Sequence, residues 1–279
     1  MIQVTKDFAA IPNHLAKGGK NYGHQDVKDA LTEIYNRKCC FCEQKVEYFE
    51  VEHYRPRNAV KGLSTHPGYG WLKLEWSNLL YACKICNAGK GAKSTKFPIA
   101  NEDNRIDVDS GNIVNNVANS AYLLAEGALL LHPEIENPEE HLTILPDGKL
   151  QVIDSSAKGK ATIEVCNLNR ESLWLEERKV TIDGLCKNLV REFKDGKELI
   201  RELPIEEEDK ETILMFSLGR VFSEIKEGRE VTSEFSLLHR VFYQQFEAFL
   251  AVNTHTKVLR PNDFRIVTAA FVEYKKSNP

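Results

Sequence analysis

Residues 39–42 read Cys-Cys-Phe-Cys, residues 51–57 Val-Glu-His-Tyr-Arg-Pro-Arg, and residues 76–90 Trp-Ser-Asn-Leu-Leu-Tyr-Ala-Cys-Lys-Ile-Cys-Asn-Ala-Gly-Lys. Two Cys-x-x-C pairs, Cys39/Cys42 and Cys83/Cys86, thus enclose a Glu52-His53 dipeptide, with Asn78 before the second pair and Asn87 directly after it. Zinc favours four thiolates in a tetrahedron, and two such pairs separated by one segment are a common way of supplying them. The cysteines alone allow a plain zinc knuckle with no chemistry. The Glu-His between the pairs and the asparagine beyond them point further.

The chain has 279 residues, room for one large domain or two modest ones. Its hydrophobic and charged fractions, 42% and 28%, are those of an ordinary soluble protein. Net charge is −4, yet residues 37–96 carry eleven Lys/Arg against five acids, or +6, which leaves −10 for the remainder. A basic segment on an acidic chain suggests contact with a polyanion there, although charge on a solvated face is the plainer alternative. Seven cysteines are an odd number for a disulfide framework, the start lacks an apolar signal-peptide core, and no apolar run approaches membrane-spanning length. The expectation is a cytoplasmic protein without membrane association, whose thiols bind metal. Cys166 and Cys186 read as small core residues; Cys40 competes with Cys39 as a ligand, at a less usual spacing from Cys42.

Outward from the central stretch, residues 1–24 look irregular, and residues 26–38 form an amphipathic helix with Val27, Ala30, Leu31, Ile34 and Tyr35 on one face and Asp26 as its cap. A strand ends near His53, and the second cysteine pair opens a short helix at Asn78 or soon after. Residues 99–119 read as loop; Asp147-Gly148 between apolar runs signals a hairpin. From Ser172 onward the apolar period is helical: Leu185, Leu189, Phe193; Leu214, Leu218, Phe222, Ile225; Phe235, Leu238, Phe242, Phe246, Leu250; Phe264, Val267, Phe271. The expected fold is α+β and predominantly helical. It divides into 1–100 with the cysteine-bounded finger, 101–170 as a connector with the hairpin, and 171–279 as a helical domain.

Hydrolysing a phosphodiester needs an activated water, a counter-charge for the phosphate and help for the departing oxygen. His53 is suited to take the proton from water, since its ordinary pKa lies near working pH. Glu52, on the other side of the strand, can hold a hard divalent ion such as Mg²⁺ or Mn²⁺, completed by the amide oxygen of Asn87. The zinc, held by sulfur, is then a separate structural ion. The bland alternatives are a buried structural His53, a salt bridge from Glu52 to a nearby arginine, and a helix cap at Asn87. Arg55, Arg57 and Lys90 are placed to grip phosphates or to be solvated surface. Trp71 and Trp76 read as packing around the finger.

This order of residues resembles the HNH nuclease motif, a ββα-metal finger: Cys39 and Cys42, Glu52-His53, Asn78-Leu79, Cys83 and Cys86, then Asn87 and Lys90. The resemblance implies that His53 is the general base, that Glu52 and Asn87 bind the catalytic ion, and that Asn78 fastens the finger's loop by hydrogen bonds. Glu52 stands where many relatives have Asp. A narrower resemblance covers most of the chain: Val-Glu-His-Tyr-Arg-Pro-Arg, residues 70–87, Lys-Phe-Pro-Ile at 96–99, residues 129–142 and residues 162–173 are similar to the HNH subunits of Septu-type anti-phage defence systems, which also occur beside retrons. That resemblance implies an ABC-type ATPase partner, placed on the C-terminal helical region. Two readings follow: a metal-dependent endonuclease acting on DNA, with RNA or transfer RNA as the alternative substrate, or a zinc-built nucleic-acid-binding or adaptor module in which Glu52-His53 is incidental.

Overall fold

A computed structural model describes residues 1–279 except 2, 64, 89, 90, 108, 110, 205 and 279, and the side chains of 172, 207 and 208 are also left undescribed. It divides into two compact units, one of Met1–Thr143 with Leu150–Arg170, the other of Ile144–Lys149 with Glu171–Pro279. Two two-stranded sheets and a larger complement of helices make it an α+β protein.

In the first unit, a single turn α1 (Asn13–Ala16) precedes α2 (Gln25–Tyr35), whose Val27, Leu31 and Tyr35 are buried at helical spacing. The cap differs from the expected one. His24 takes that position, its Nδ1 accepting the Asp26 amide, while Asp26 Oδ2 accepts the His14 amide at 2.7 Å. A side-chain acceptor can satisfy an orphan helix amide, and here the turn α1 claims the carboxylate through His14. The helix stops at Asn36, which adopts the left-handed conformation with φ 51° that Asn tolerates better than most residues.

Strands β1 (Phe49–His53) and β2 (Leu79–Cys83) pair antiparallel, with Val51 opposite Tyr81 and His53 opposite Leu79. The helix expected from Asn78 is therefore corrected: Trp76–Asn78 is a 3-10 turn, Leu79–Cys83 is strand, and helix α3 begins only at Lys84 (Lys84–Asn87). All five residues of β2 are buried. A strand covered on both faces shows no polar-apolar alternation, so its period could not reveal it. Phe49 stacks on Tyr81 with centroids 3.8 Å apart, a diagonal cross-strand pair that fixes the register.

The N-terminal segment is pinned rather than loose. Lys6 Nζ donates to the Trp76 and Leu79 carbonyls at 2.7 Å each and to Glu134 at 3.2 Å, and lies 3.8 Å from the Trp76 ring centroid. Beyond α4 (Ala121–Leu124), Leu130 and Leu131 are fully buried. The hairpin forms as expected between β3 (Leu142–Ile144) and β4 (Leu150–Val152), turning at Gly148, whose φ of +83° suits a residue without Cβ. Helix α5 (Ala157–Cys166) closes the unit with Cys166 inside.

The second unit is helical: α6 (Glu176–Glu202), entered through a π-helical turn at Glu171–Leu175, then α7 (Glu207–Glu227), α8 (Ser236–Gln244), α9 (Phe246–Val252) and α10 (Pro261–Ser277). Leu185, Leu189, Phe193, Leu218, Phe222, Ile225, Val267 and Phe271 are buried as the stripes require. The third stripe is not one helix: Phe235 sits ahead of α8 in a left-handed conformation, and Gln245 breaks the run into α8 and α9. Phe246 and Phe271 stack at 3.8 Å, with Phe222 edge-on to both. No helix among the described residues is long and apolar enough to cross a membrane.

Candidate active site

Cys39 and Cys42 lie in the loop between α2 and β1, Cys83 ends β2, and Cys86 lies in α3; their four sulfurs fall within 4.8 Å of one another, all buried. The loop is shaped by a left-handed Glu43 (φ 64°), with the Glu43 amide on the Cys39 carbonyl and the Cys39 amide on Gln44 O, both at 3.0 Å. Cys83 Sγ accepts the Cys86 amide at 3.4 Å and lies 4.0 Å from Cys42 Sγ. Tetrahedral Zn–S bonds of about 2.3 Å set sulfurs roughly 3.8 Å apart, so this quartet fits such an ion. Burial pushes the Cys42 thiol up, so a thiolate at that position needs a cation beside it. Cys40 is buried but stays outside this cluster, which contains Cys39.

One face of the finger opens into a cleft of about 200 Å³ lined by Tyr22, Glu52, His53, Arg57, Asn58, Asn87, Ser94 and Thr95 among others. Glu52, His53 and Asn87 therefore meet in one space, although alternation along β1 sends Glu52 and His53 to opposite faces. His53 is 7% exposed, its Nε2 lies 3.1 Å from the Lys73 carbonyl, and the Tyr22 ring packs edge-on at 4.7 Å. A carbonyl only accepts, so Nε2 carries the hydrogen and Nδ1 keeps the lone pair. Burial, reinforced by the nearby charges of Arg57, Lys93 and Lys73, lowers the His53 pKa to about 4. The ring is neutral at physiological pH.

Glu52 is buried and paired, with Oε1 2.6 Å from Lys93 Nζ. Lys93, fully buried, also donates to the His53 carbonyl at 2.9 Å. The salt bridge weighed for Glu52 thus exists, but with a lysine 41 residues onward rather than a nearby arginine. Burial raises the Glu52 pKa, against the attraction of Lys93. Asn87 is half-buried, and its Nδ2 donates to Glu50 Oε2 at 2.8 Å, which leaves its Oδ1 as the acceptor. Glu50 shares the face of Glu52 on β1. Neither Lys93 nor Glu50 was singled out by sequence; the i, i+2 spacing of Glu50 and Glu52 on a strand was the available signal for the latter.

Asn78 staples the segment after His53: Oδ1 accepts the Arg55 amide at 2.8 Å, and Nδ2 donates to the carbonyls of Arg55 at 3.1 Å and Leu72 at 3.2 Å. Asn78→Ala leaves the Arg55 amide and carbonyl without these partners, whereas the Leu72 carbonyl keeps the Glu75 amide; at about 1–3 kcal/mol per orphaned group, partly relieved by water, a loss of roughly 2–4 kcal/mol is expected in urea denaturation.

Arg55 is corrected. It is 2% exposed, with Nε on Glu126 Oε2 and Nη2 on the Leu123 carbonyl, so its guanidinium is a core ion pair and is not available to a phosphate. Glu126 also accepts from the Tyr69 hydroxyl, which completes the compensation that a buried arginine needs. Arg57 does line the cleft, its guanidinium 5.2 Å from the Tyr22 ring, with no carboxylate partner among the described residues. Lys90 lies outside the described residues. Trp76 is buried packing, as expected, and Trp71 is half-buried.

Fold and site together define an α+β protein whose two-stranded finger carries a buried four-cysteine cluster, able to hold a metal such as zinc, beside a polar cleft. The chain is similar to Septu proteins: it is 35% identical over 199 residues to Septu protein PtuB of Bacillus mycoides (strain KBAB4), covering 67% of this chain and 61% of that protein. It is 32% identical over 186 residues to Septu protein PtuA of the same strain, covering 62% and 24%, and 29% identical over 161 residues to Septu protein PtuB of Bacillus thuringiensis, covering 56% and 46%. The chain therefore spans less than two thirds of the length of each of these curated relatives. No family model and no solved structure matches it.

Proposed function

We propose that the chain is a metal-dependent endonuclease of the HNH kind that acts in anti-phage defence, with residues 1–170 carrying the chemistry and residues 171–279 serving an ABC-type ATPase partner. The observation that carries the chemistry is His53: a buried, neutral imidazole whose Nε2 is held by the Lys73 carbonyl and whose ring shares a cleft with Glu52, Asn87 and Arg57. The Septu relatives support the defence role and a partner protein.

In this reading His53 Nδ1 takes the proton of the attacking water, and its fixed tautomer means that no ring rotation precedes the step. A hard divalent ion supplies charge neutralisation at the phosphate and at the departing oxygen when bound. Glu52 Oε2 and Asn87 Oδ1 are the oxygens that would hold it, and the turning of Asn87 Nδ2 toward Glu50 fits that role. Arg57 adds a positive charge at the rim, where a guanidinium meets a phosphate bidentately. Asn78 and Lys93 act on geometry, holding the segment after His53 and the Glu52 carboxylate. Double-stranded DNA is the favoured substrate; RNA is the alternative.

The test is a side-by-side cleavage assay on plasmid DNA and on structured RNA, with Mg²⁺ or Mn²⁺ and the ATPase partner each present or omitted. Divalent-dependent cleavage of one polymer supports the reading and names the substrate. Inertness under every combination, matched by a His53→Ala protein, favours the zinc-built adaptor.

A further inference from the structure

Lys93 ties Glu52 and the His53 backbone to the segment that follows Cys86. Its ammonium bonds Glu52 Oε1 and the His53 carbonyl, its own amide donates to the Cys86 carbonyl at 3.0 Å, and the next amide, that of Ser94, donates to the Asn87 carbonyl at 2.9 Å. It is 0% exposed, and both ammonium contacts are direct, at 2.6 and 2.9 Å. A fully buried ammonium costs several kcal/mol to desolvate and persists only where acceptors surround it.

We infer that Lys93 is a positioning residue and the resident counter-ion of Glu52: it fixes one carboxylate oxygen, and its charge sets how strongly a divalent cation is bound by the other. The inference rests on the proposed nuclease site, but its test does not need cleavage. With Lys93 charged, Glu52 presents a compensated carboxylate and one oriented oxygen, so a divalent ion is held weakly and in one place. Glu50, which faces the same side of β1 and bonds Asn87, is a further carboxylate on that face. Removing the lysine charge leaves Glu52 uncompensated. A unit charge a few ångström away, at an effective dielectric of about 20, then changes cation affinity by at least about tenfold.

The experiment is a titration of zinc-replete protein with Mn²⁺, followed by electron paramagnetic resonance of the free ion, on wild type, Lys93→Met, Lys93→Arg and Glu52→Gln. Thiolates prefer zinc, which keeps Mn²⁺ out of the cysteine quartet. Lys93→Met is expected to bind Mn²⁺ at least about tenfold more tightly than wild type, Lys93→Arg to stay near wild type, and Glu52→Gln to bind more weakly. Affinity of Lys93→Met equal to or below that of wild type overturns the inference, as does the absence of Mn²⁺ binding by Lys93→Met across the titrated range. Thermal unfolding guards against a folding failure. Mn²⁺ should raise the midpoint of Lys93→Met more than that of wild type, whereas the neutral pair Lys93→Met/Glu52→Gln should fold and lose that response. A Lys93→Met protein that stays unfolded in Mn²⁺ while the double variant folds shows a purely structural ion pair and also overturns it. Failure of the nuclease reading registers separately, in the cleavage assay.

Discussion

Adding a zinc chelator is expected to unfold the first unit. The elements that the quartet joins are too small to hold themselves: two five-residue strands and a four-residue helix. An isolated hairpin is marginal in water, and a helix of one turn does not pay for its own nucleation. Structural zinc in comparable sites contributes about 10–16 kcal/mol, as much as or more than the roughly 5–15 kcal/mol that keeps an entire domain folded. Cys86→Ser is expected to act like chelation, because one hydroxyl replaces a thiolate and leaves three buried sulfurs around a weakened ion. Far-ultraviolet circular dichroism and tryptophan fluorescence, followed against chelator concentration with zinc release monitored in parallel, should change together. Trp76 is a suitable reporter, since it is buried directly before β2. Zinc release without spectral change would show that the quartet is dispensable to the fold.

The second large effect belongs to His53. His53→Ala is expected to reduce single-turnover cleavage by about 10²–10⁴-fold, the range for loss of a positioned general base, while zinc content and fold are retained. Among the described residues the ring bonds the Lys73 carbonyl and packs against Tyr22, and it is not a member of the cysteine quartet. The pH dependence has a defined sign. With a pKa of about 4 in the folded chain, the imidazole remains a base well below the ordinary histidine value, so its acid limb in kcat/KM is expected below pH 6. A folded pKa below the unfolded one means that the unfolded chain takes the proton first. Stability contributed by His53 is therefore full above about pH 6.5 and lost as pH falls toward 4, by up to about 3 kcal/mol. His53→Ala should flatten that part of the stability profile in urea titrations at successive pH values. An unchanged slope would place the imidazole in solvent.

Much of this architecture was legible because it is local. The cysteine spacing places four sulfurs together once a hairpin forms between the pairs, and the turn at Asp147-Gly148 follows from backbone conformational freedom at Gly148. Most stripe residues of the second unit are buried, with Leu214 and Phe264 only half-buried, and the third stripe is split between two helices because Phe235 and Gln245 leave helical geometry. What sequence did not disclose is charge pairing across distance. Arg55 finds Glu126 71 residues on and Lys93 finds Glu52 41 residues back. In a basic, polar-looking stretch such residues read as surface because charged side chains are almost never fully buried unless paired. Strand β2 escaped for the opposite reason: uniformly apolar, it carries no period. The residues that decide the candidate site's electrostatics are thus the ones whose partners lie far along the chain.

Chemical rescue of a His53→Gly protein by free imidazole tests the central claim most directly. If the ring of residue 53 accepts the proton of the attacking water, exogenous imidazole should enter the vacated space beside Tyr22 and restore a measurable part of the divalent-dependent cleavage rate. The restored rate should rise with the concentration of unprotonated imidazole and disappear when the metal is omitted. A His53→Gly protein that cleaves as fast as wild type, or one whose residual rate ignores imidazole while its zinc content and fold match wild type, would contradict the assignment.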